Sequence, residues 1–143
     1  MENIKFRGKC LHTGKWVYGS LTIFKNQYSK IDSLRCEILE PTGYKHMTNF
    51  DPHRDKDKDF KRDWIVYNVN TETVGQYIGR KSISDKEVYL GDKVNIIDSN
   101  GEKYNDLTVI WDDEFCGFKA ENEDWKLFFF RIEYIEIIGN IHD

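Results

Sequence analysis

Carboxylates recur in this sequence at spacings that suit metal ions. Asp55, Asp57 and Asp59 stand at alternate positions, as the first three ligands of a calcium loop do when acids at positions 1, 3 and 5 converge on one ion. The rest of such a loop is missing: Phe60 takes the sixth position, where glycine permits the turn, and Val66 the twelfth, where a bidentate Glu closes the site. Asp112, Asp113 and Glu114 form a second acidic run, which would serve a metal-dependent hydrolase if the three groups gathered on one hydrated divalent ion. Alternating side-chain directions on a strand work against that gathering, so the run reads first as a solvated turn. Cys10 with His12, and His46 with His53, offer soft or imidazole ligands, but structural zinc sites draw tight ligand pairs from two places, and these do not pair so. Cys36 and Cys116 sit in apolar stretches and read as small buried hydrophobes. The four histidines, His12, His46, His53 and His142, belong to no motif that would supply a nucleophile with a base and an orienting group. The expectation is no catalytic residue, no metal and no cofactor.

Binding chemistry is better represented. Lys5, Arg7, Lys9 and Lys15 lie close in sequence to Trp16 and Tyr18, a basic and aromatic mixture on which nucleic-acid bases stack beside neutralised phosphates. Against it stands the net charge of −4, which works against an extended basic groove. Leu127-Phe128-Phe129-Phe130 places apolar groups on both faces of any strand it forms. One face can meet the core, and the other then needs a second layer or another subunit, making Phe128, Phe129 and Phe130 candidate oligomer contacts. Arg80, Lys81, Ser82 and Lys86 read either as a basic contact loop or as plain turn chemistry, the latter sufficing to explain them.

The frame that must position these residues is a chain of 143 residues, the size of one domain, with 39% hydrophobic and 15% aromatic content. That composition repays the entropy of ordering and favours strands over helices. Three cysteines without a Cys-x-x-Cys pair or a signal peptide point to a reducing cytoplasm. Apolar runs are broken by charge even in the tail, by Arg131, Glu133 and Glu136, so no membrane span is expected. Charge is divided: residues 1–70 carry 13 Lys/Arg against 9 Asp/Glu, and residues 71–143 carry 8 against 16. The halves either attract each other or offer a basic face to an anionic partner.

Period-2 alternation marks Ile4 to Arg7 as a strand, and Trp16 to Phe24 as another, with Gly19 inside it predicting a bulge or a close backbone approach. Trp64 to Val69 and Lys93 to Ile97 are further strands. Asp98-Ser99-Asn100-Gly101 predicts a hairpin, because Asn-Gly suits the two positive φ angles of a type I′ turn. Its returning strand, Asp106 to Asp112, sets Leu107, Val109 and Trp111 on one face and Thr108 and Ile110 on the other. Phe115 to Phe118 begins the next. In the tail Glu133, Glu136 and Asn140 are expected to face solvent. Asp51 to Asp63, five acids and five bases in alternation, reads as a solvated loop or exposed helical turn. The sum is a mainly β single domain over residues 1–143, a small barrel or strongly curved antiparallel sheet of about eight short strands with at most short helical segments.

Three blocks together resemble the YopX family of small phage and prophage proteins. They are Ile4-Lys5-Phe6-Arg7-Gly8-Lys9 with Gly14 to Leu21, then Thr73-Val74-Gly75-Gln76-Tyr77-Ile78-Gly79 running into Glu87-Val88-Tyr89-Leu90-Gly91-Asp92-Lys93-Val94, and finally Ile137 to His142. The chain departs from the family pattern at Ser82 to Asp85, which lacks a glycine-containing turn, and at Leu90, where an acid is common. The resemblance implies a phage setting in a bacterial host and a β-rich fold, and assigns no catalytic residue. The expected function is therefore a non-catalytic accessory protein that binds a protein partner, as a homo-oligomer joined through its tail. A nucleic-acid-binding barrel using Lys5, Arg7, Lys9, Lys15 and Trp16 is the alternative, and the metal-dependent hydrolase comes third.

Overall fold

A computed structural model describes residues 4–25, 34–41 and 64–143. The acid–base run at 51–63, His46 and His53, and the alternating aspartates at 55–59 lie outside the described residues. The chain separates into two compact units, Arg7–Val74 and Met1–Phe6 with Gly75–Asp143. Eleven strands occur among the described residues, with two single-turn 3-10 segments and no α-helix, against an expectation of about eight. The excess comes from pieces such as Glu87–Tyr89 and Lys126–Phe128, since three residues are too few to display a period.

In the unit of residues 7–74 the strands are β1 (Phe6–Lys9), β2 (Trp16–Lys25), β3 (Leu34–Pro41) and β4 (Trp64–Val69), ordered β4-β3-β2-β1. The β2–β3 and β3–β4 pairs are antiparallel. Cys36 and Ile38 alternate inward along β3 and, with Cys10, Val17 and Val69, are the buried apolar residues among the described part of this unit. Hiding a side chain the size of Ile38 contributes about 1.5–3 kcal/mol. Gly19 makes the expected close approach, because a Cβ there would overlap the Leu39 carbonyl oxygen. Beyond β1 an isolated antiparallel bridge joins Cys10 to Val69. Leu11 N donates to Asn68 O at 2.9 Å and Asn70 N to Lys9 O at 2.8 Å on either side of it.

The other unit holds the hairpin β5 (Gly75–Lys81) and β6 (Glu87–Tyr89), and an open five-stranded antiparallel sheet in the order β10-β9-β8-β7-β11. Its strands are β7 (Asp92–Asp98), β8 (Lys103–Asp112), β9 (Gly117–Glu121), β10 (Lys126–Phe128) and β11 (Ile132–Asn140). Register sets apolar residues in lateral rows on one face, Ile137–Val94–Leu107 and Leu127–Ala120–Val109. Val88 from β6 is buried in the same core, and Ile78 and Leu90 pack against it. Of the three residues that alternation sets on one face of β8, Leu107 and Val109 are buried, while Trp111 near the strand's end is 44% exposed.

Three local expectations are corrected. The β7–β8 turn is not type I′, because only Gly101 takes a positive φ, of 81°, while Asn100 does not. The Asp98 carboxylate organises it instead, its Oδ1 accepting from Asn100 N at 2.9 Å and Glu102 N at 3.0 Å. Asp113 to Cys116 forms a turn before β9 rather than the start of a strand, with Cys116 at φ 49°. Asn140 is buried, not solvent-facing. It donates from Nδ2 to Asp92 Oδ1 at 3.2 Å, while Asp92 Oδ2 accepts from Tyr89 N at 2.8 Å. Gly91, at φ 90°, donates to Val109 O at 2.9 Å and accepts from Ile141 N at 3.0 Å. The turn around Gly91 and Asp92 thus fastens the tail to β7 and β8.

Candidate functional site

With one face of the five-stranded sheet given to the core, alternation sends Ile110 and Asp112 of β8, Lys119 and Glu121 of β9, and Phe128 of β10 to the other. Lys119 is buried there, its Nζ 2.8 Å from Asp112 Oδ2 and 2.9 Å from Glu121 Oε2. Both carboxylates hold the ammonium above its ordinary pKa. The Lys119 hydrogen bond, joined by the Phe115 amide, holds the Asp112 carboxyl below the usual carboxylate value. Asp112 Oδ1 accepts from Phe115 N at 2.9 Å, so the acid engages a cation and shapes a turn. Asp113 and Glu114 are exposed, and the three acids therefore do not converge as a hydrolase centre requires.

The turn shaped by Asp112 presents Phe115. Its ring lies 4.8 Å from that of Phe128, which stands opposite Lys119 in register. Phe128 in turn stacks on Phe130, with centroids 6.1 Å apart and planes at 13°. The Arg131 guanidinium sits 5.5 Å over the Phe130 ring. Phe115 is 70% and Phe130 81% exposed, so the three rings form an aromatic ladder open to solvent. The expected contact segment is divided: Phe128 and Phe130 belong to the ladder, while Phe129 packs against the core. The cause is local, because a 3-10 turn at Phe129–Arg131 interrupts the strand alternation. Phe115 escaped sequence reading because an aromatic beside an acidic run looks like a strand start; its place at a turn tip was the available clue.

Along the same sheet face, register rows Tyr134–Ile97–Lys103 and Glu136–Asn95 border a depression of about 200 Å³ that Ile83 also lines. Glu136 Oε2 accepts from Asn95 Nδ2 at 3.2 Å. Arg80, read from sequence as a contact-loop cation, donates to the carbonyls of Phe129 and Ile132 at 2.9 and 2.8 Å and to that of Glu133 at 3.2 Å. It caps the entry to β11. Lys81 pairs with Asp85 at 3.6 Å, and the Ser82 hydroxyl bonds within the same turn.

The N-terminal basic set is only partly assembled. Arg7 and Lys9 both lie over Trp16, at 4.5 and 5.3 Å from the ring centroid, and Arg7 is buried. Trp16 thus carries two cations of its own chain on the ring that a base would need. Lys15 is exposed in the turn. Lys5 meets Glu87 at 3.0 Å and lies 5.7 Å over the Tyr77 ring. Next to β1, the Thr13 hydroxyl and the amides of Thr13 and His12 hold the Cys10 thiol below its usual pKa. Cys10, Cys36 and Cys116 are all free thiols; Cys36 is buried as expected and so is Cys10, but Cys116 is exposed, because it stands in the turn before β9 and not within a strand. Among the described residues no helix is long and apolar enough to cross a membrane.

Among curated proteins none matches this sequence. A family model described as YopX protein matches residues 5–143, spanning both compact units and all three sequence blocks. The turn around Gly91 and Asp92, with its bonds to Asn140 and Ile141, accounts for the second and third of those blocks standing together. The chain belongs to the YopX family.

Proposed function

We propose that this chain is a non-catalytic docking protein, phage- or prophage-encoded and working in the host cytoplasm, that binds a protein through the ladder of Phe115, Phe128 and Phe130. The single observation behind this reading is the exposure of Phe130, at 81%, on a continuous aromatic surface. Aromatic anchors of this kind supply most of the energy at protein interfaces, and contiguous exposed apolar surface is uncommon on proteins without a partner. The engagement of Asp112 by Lys119 supports a structural use of the acidic run. Three free thiols fit a reducing compartment. Residues 1–143 act as one domain in this reading, supported by a family model that runs through both units. Strong curvature of the sheet in residues 7–74 is part of the proposal, and the Cys10–Val69 bridge supports it.

The test is photo-cross-linking from position 130 in host cells, with Phe115→Ser/Phe130→Ser as the comparison in affinity capture. Partner proteins should cross-link at position 130 and be lost from the double variant. Capture unchanged by the double variant would remove the reading. Nucleic-acid binding is a second reading, and it draws on phosphate contacts from Lys9 and the exposed Lys15 rather than on stacking, since the Trp16 ring already carries Arg7 and Lys9. Gel shifts with single- and double-stranded DNA and RNA should then show binding that weakens as salt rises, and no shift at low salt refutes it.

A further inference from the structure

The ladder and the depression beside Tyr134 lie on one face of one sheet. At about 200 Å³ the depression is below the range of roughly 300–1,000 Å³ in which small-molecule sites are found. It has room for a single aromatic side chain. Its walls offer Ile83, Ile97 and Tyr134 as apolar surface, with Glu136 among the lining on the β11 side and Lys103 on the β8 side. Phe130 is the most exposed large apolar residue of the protein's described part, and Arg131 lies against its ring. A ring accompanied by a cation thus matches an apolar hollow whose β11 side carries a carboxylate, Lys103 lying on the far, β8 side.

We infer that the occupant is a second copy of this chain: Phe130 of each copy enters the depression of the other, with Arg131 meeting Glu136 across a two-fold contact. This rests on the docking reading above and names the partner for that surface. A two-fold contact suits the placement, because ring and hollow lie on one face of one sheet and a patch that carries both can close on itself. Strand addition at the start of β11 is blocked, since the Ile132 and Glu133 carbonyls are taken by Arg80 and that of Ile135 by Ile83 N at 2.8 Å. The contact is therefore one of side chains on the sheet face.

Sedimentation equilibrium of the full chain across a wide concentration range tests it. Wild type should reach a dimer and stop. Phe130→Ser, which empties the hollow, and Arg131→Glu and Glu136→Arg, which each bring like charges together, should each weaken dimerisation at least about a hundredfold. An equal mixture of Arg131→Glu and Glu136→Arg should dimerise again, and so should the doubly substituted chain. All three positions are solvent-exposed, so the variants should melt as wild type does. A wild type that stays monomeric at every concentration, a dimer indifferent to these changes, or a mixture that fails to recover would each overturn the inference. If position 130 still cross-links to a host protein while the wild type stays monomeric, this inference fails and the docking reading stands. If cross-linking fails too, both fall.

Discussion

Replacing Asp92 should separate a structural role for the Tyr89-Leu90-Gly91-Asp92 element from a binding one. Asp92 is 1% exposed, and its carboxylate accepts from Tyr89 N on Oδ2 and from Asn140 Nδ2 on Oδ1. Asp92→Ala leaves at least these two donors without a partner. A buried donor left unsatisfied costs about 1–3 kcal/mol, so the loss should be roughly 2–6 kcal/mol. Asp92→Asn keeps one acceptor oxygen and turns its own amide against the other donor, and should cost about half as much, roughly 1–3 kcal/mol. Asn140→Ala removes one of the stranded donors, so Asp92→Ala/Asn140→Ala should cost less than the sum of the single changes. Urea unfolding followed by fluorescence reads all four chains, with the midpoint moving at constant slope. Against a total of about 5–15 kcal/mol, the alanine variant would be visibly destabilised. An Asp92→Ala protein as stable as wild type, or singles and double that add, would refute the claim that this element is a fastening.

Four further outcomes are expected. Asp112→Asn should flatten the acid limb of stability: the folded carboxyl lies below its ordinary value, so its contribution is present above an unfolded pKa of about 3.9 and lost as pH falls through the folded one; melts recorded against pH check it. Ile96→Ala, at a fully buried position on β7, should cost about 2–5 kcal/mol in urea unfolding. Gly19→Ala should cost at least about 1–3 kcal/mol, since the added methyl meets the Leu39 carbonyl. Thr13→Val should raise the Cys10 pKa by removing the hydroxyl that does most to lower it, a change visible in the ultraviolet titration of the thiolate.

What the sequence disclosed followed from periodicity. Leu107 and Val109 could be set on one face because β8 is long enough to alternate, and Lys93 to Ile97 could be read as a strand for the same reason. Gly19 announced a close approach because only glycine leaves that space empty. What stayed hidden depended on partners far along the chain. Asn140 looks like a solvent residue until Asp92, 48 positions away, is found beside it. Arg80 looks like a loop cation until three carbonyls from the tail converge on it. Lys119 stands on a strand amid acids, and nothing local shows that Asp112 and Glu121 will reach its Nζ together.

The Phe128 to Phe130 run shows how far a correct argument from composition can reach. Three aromatics in a row cannot all enter one core from a regular strand, so at least one must emerge. Which one emerges is decided by the 3-10 turn at Phe129–Arg131, a break in alternation that no spacing of residue types announces. Once Phe129 turns inward, Phe128 and Phe130 share a side and stack. Phe115 then completes the surface because Asp112, neutralised by Lys119, draws in its amide. The ion triad and the ladder are therefore one construction: an internal ion pair sets the turn that exposes the aromatic. An acidic run that resembles metal chemistry in the sequence works, in the fold, to position an exposed aromatic side chain.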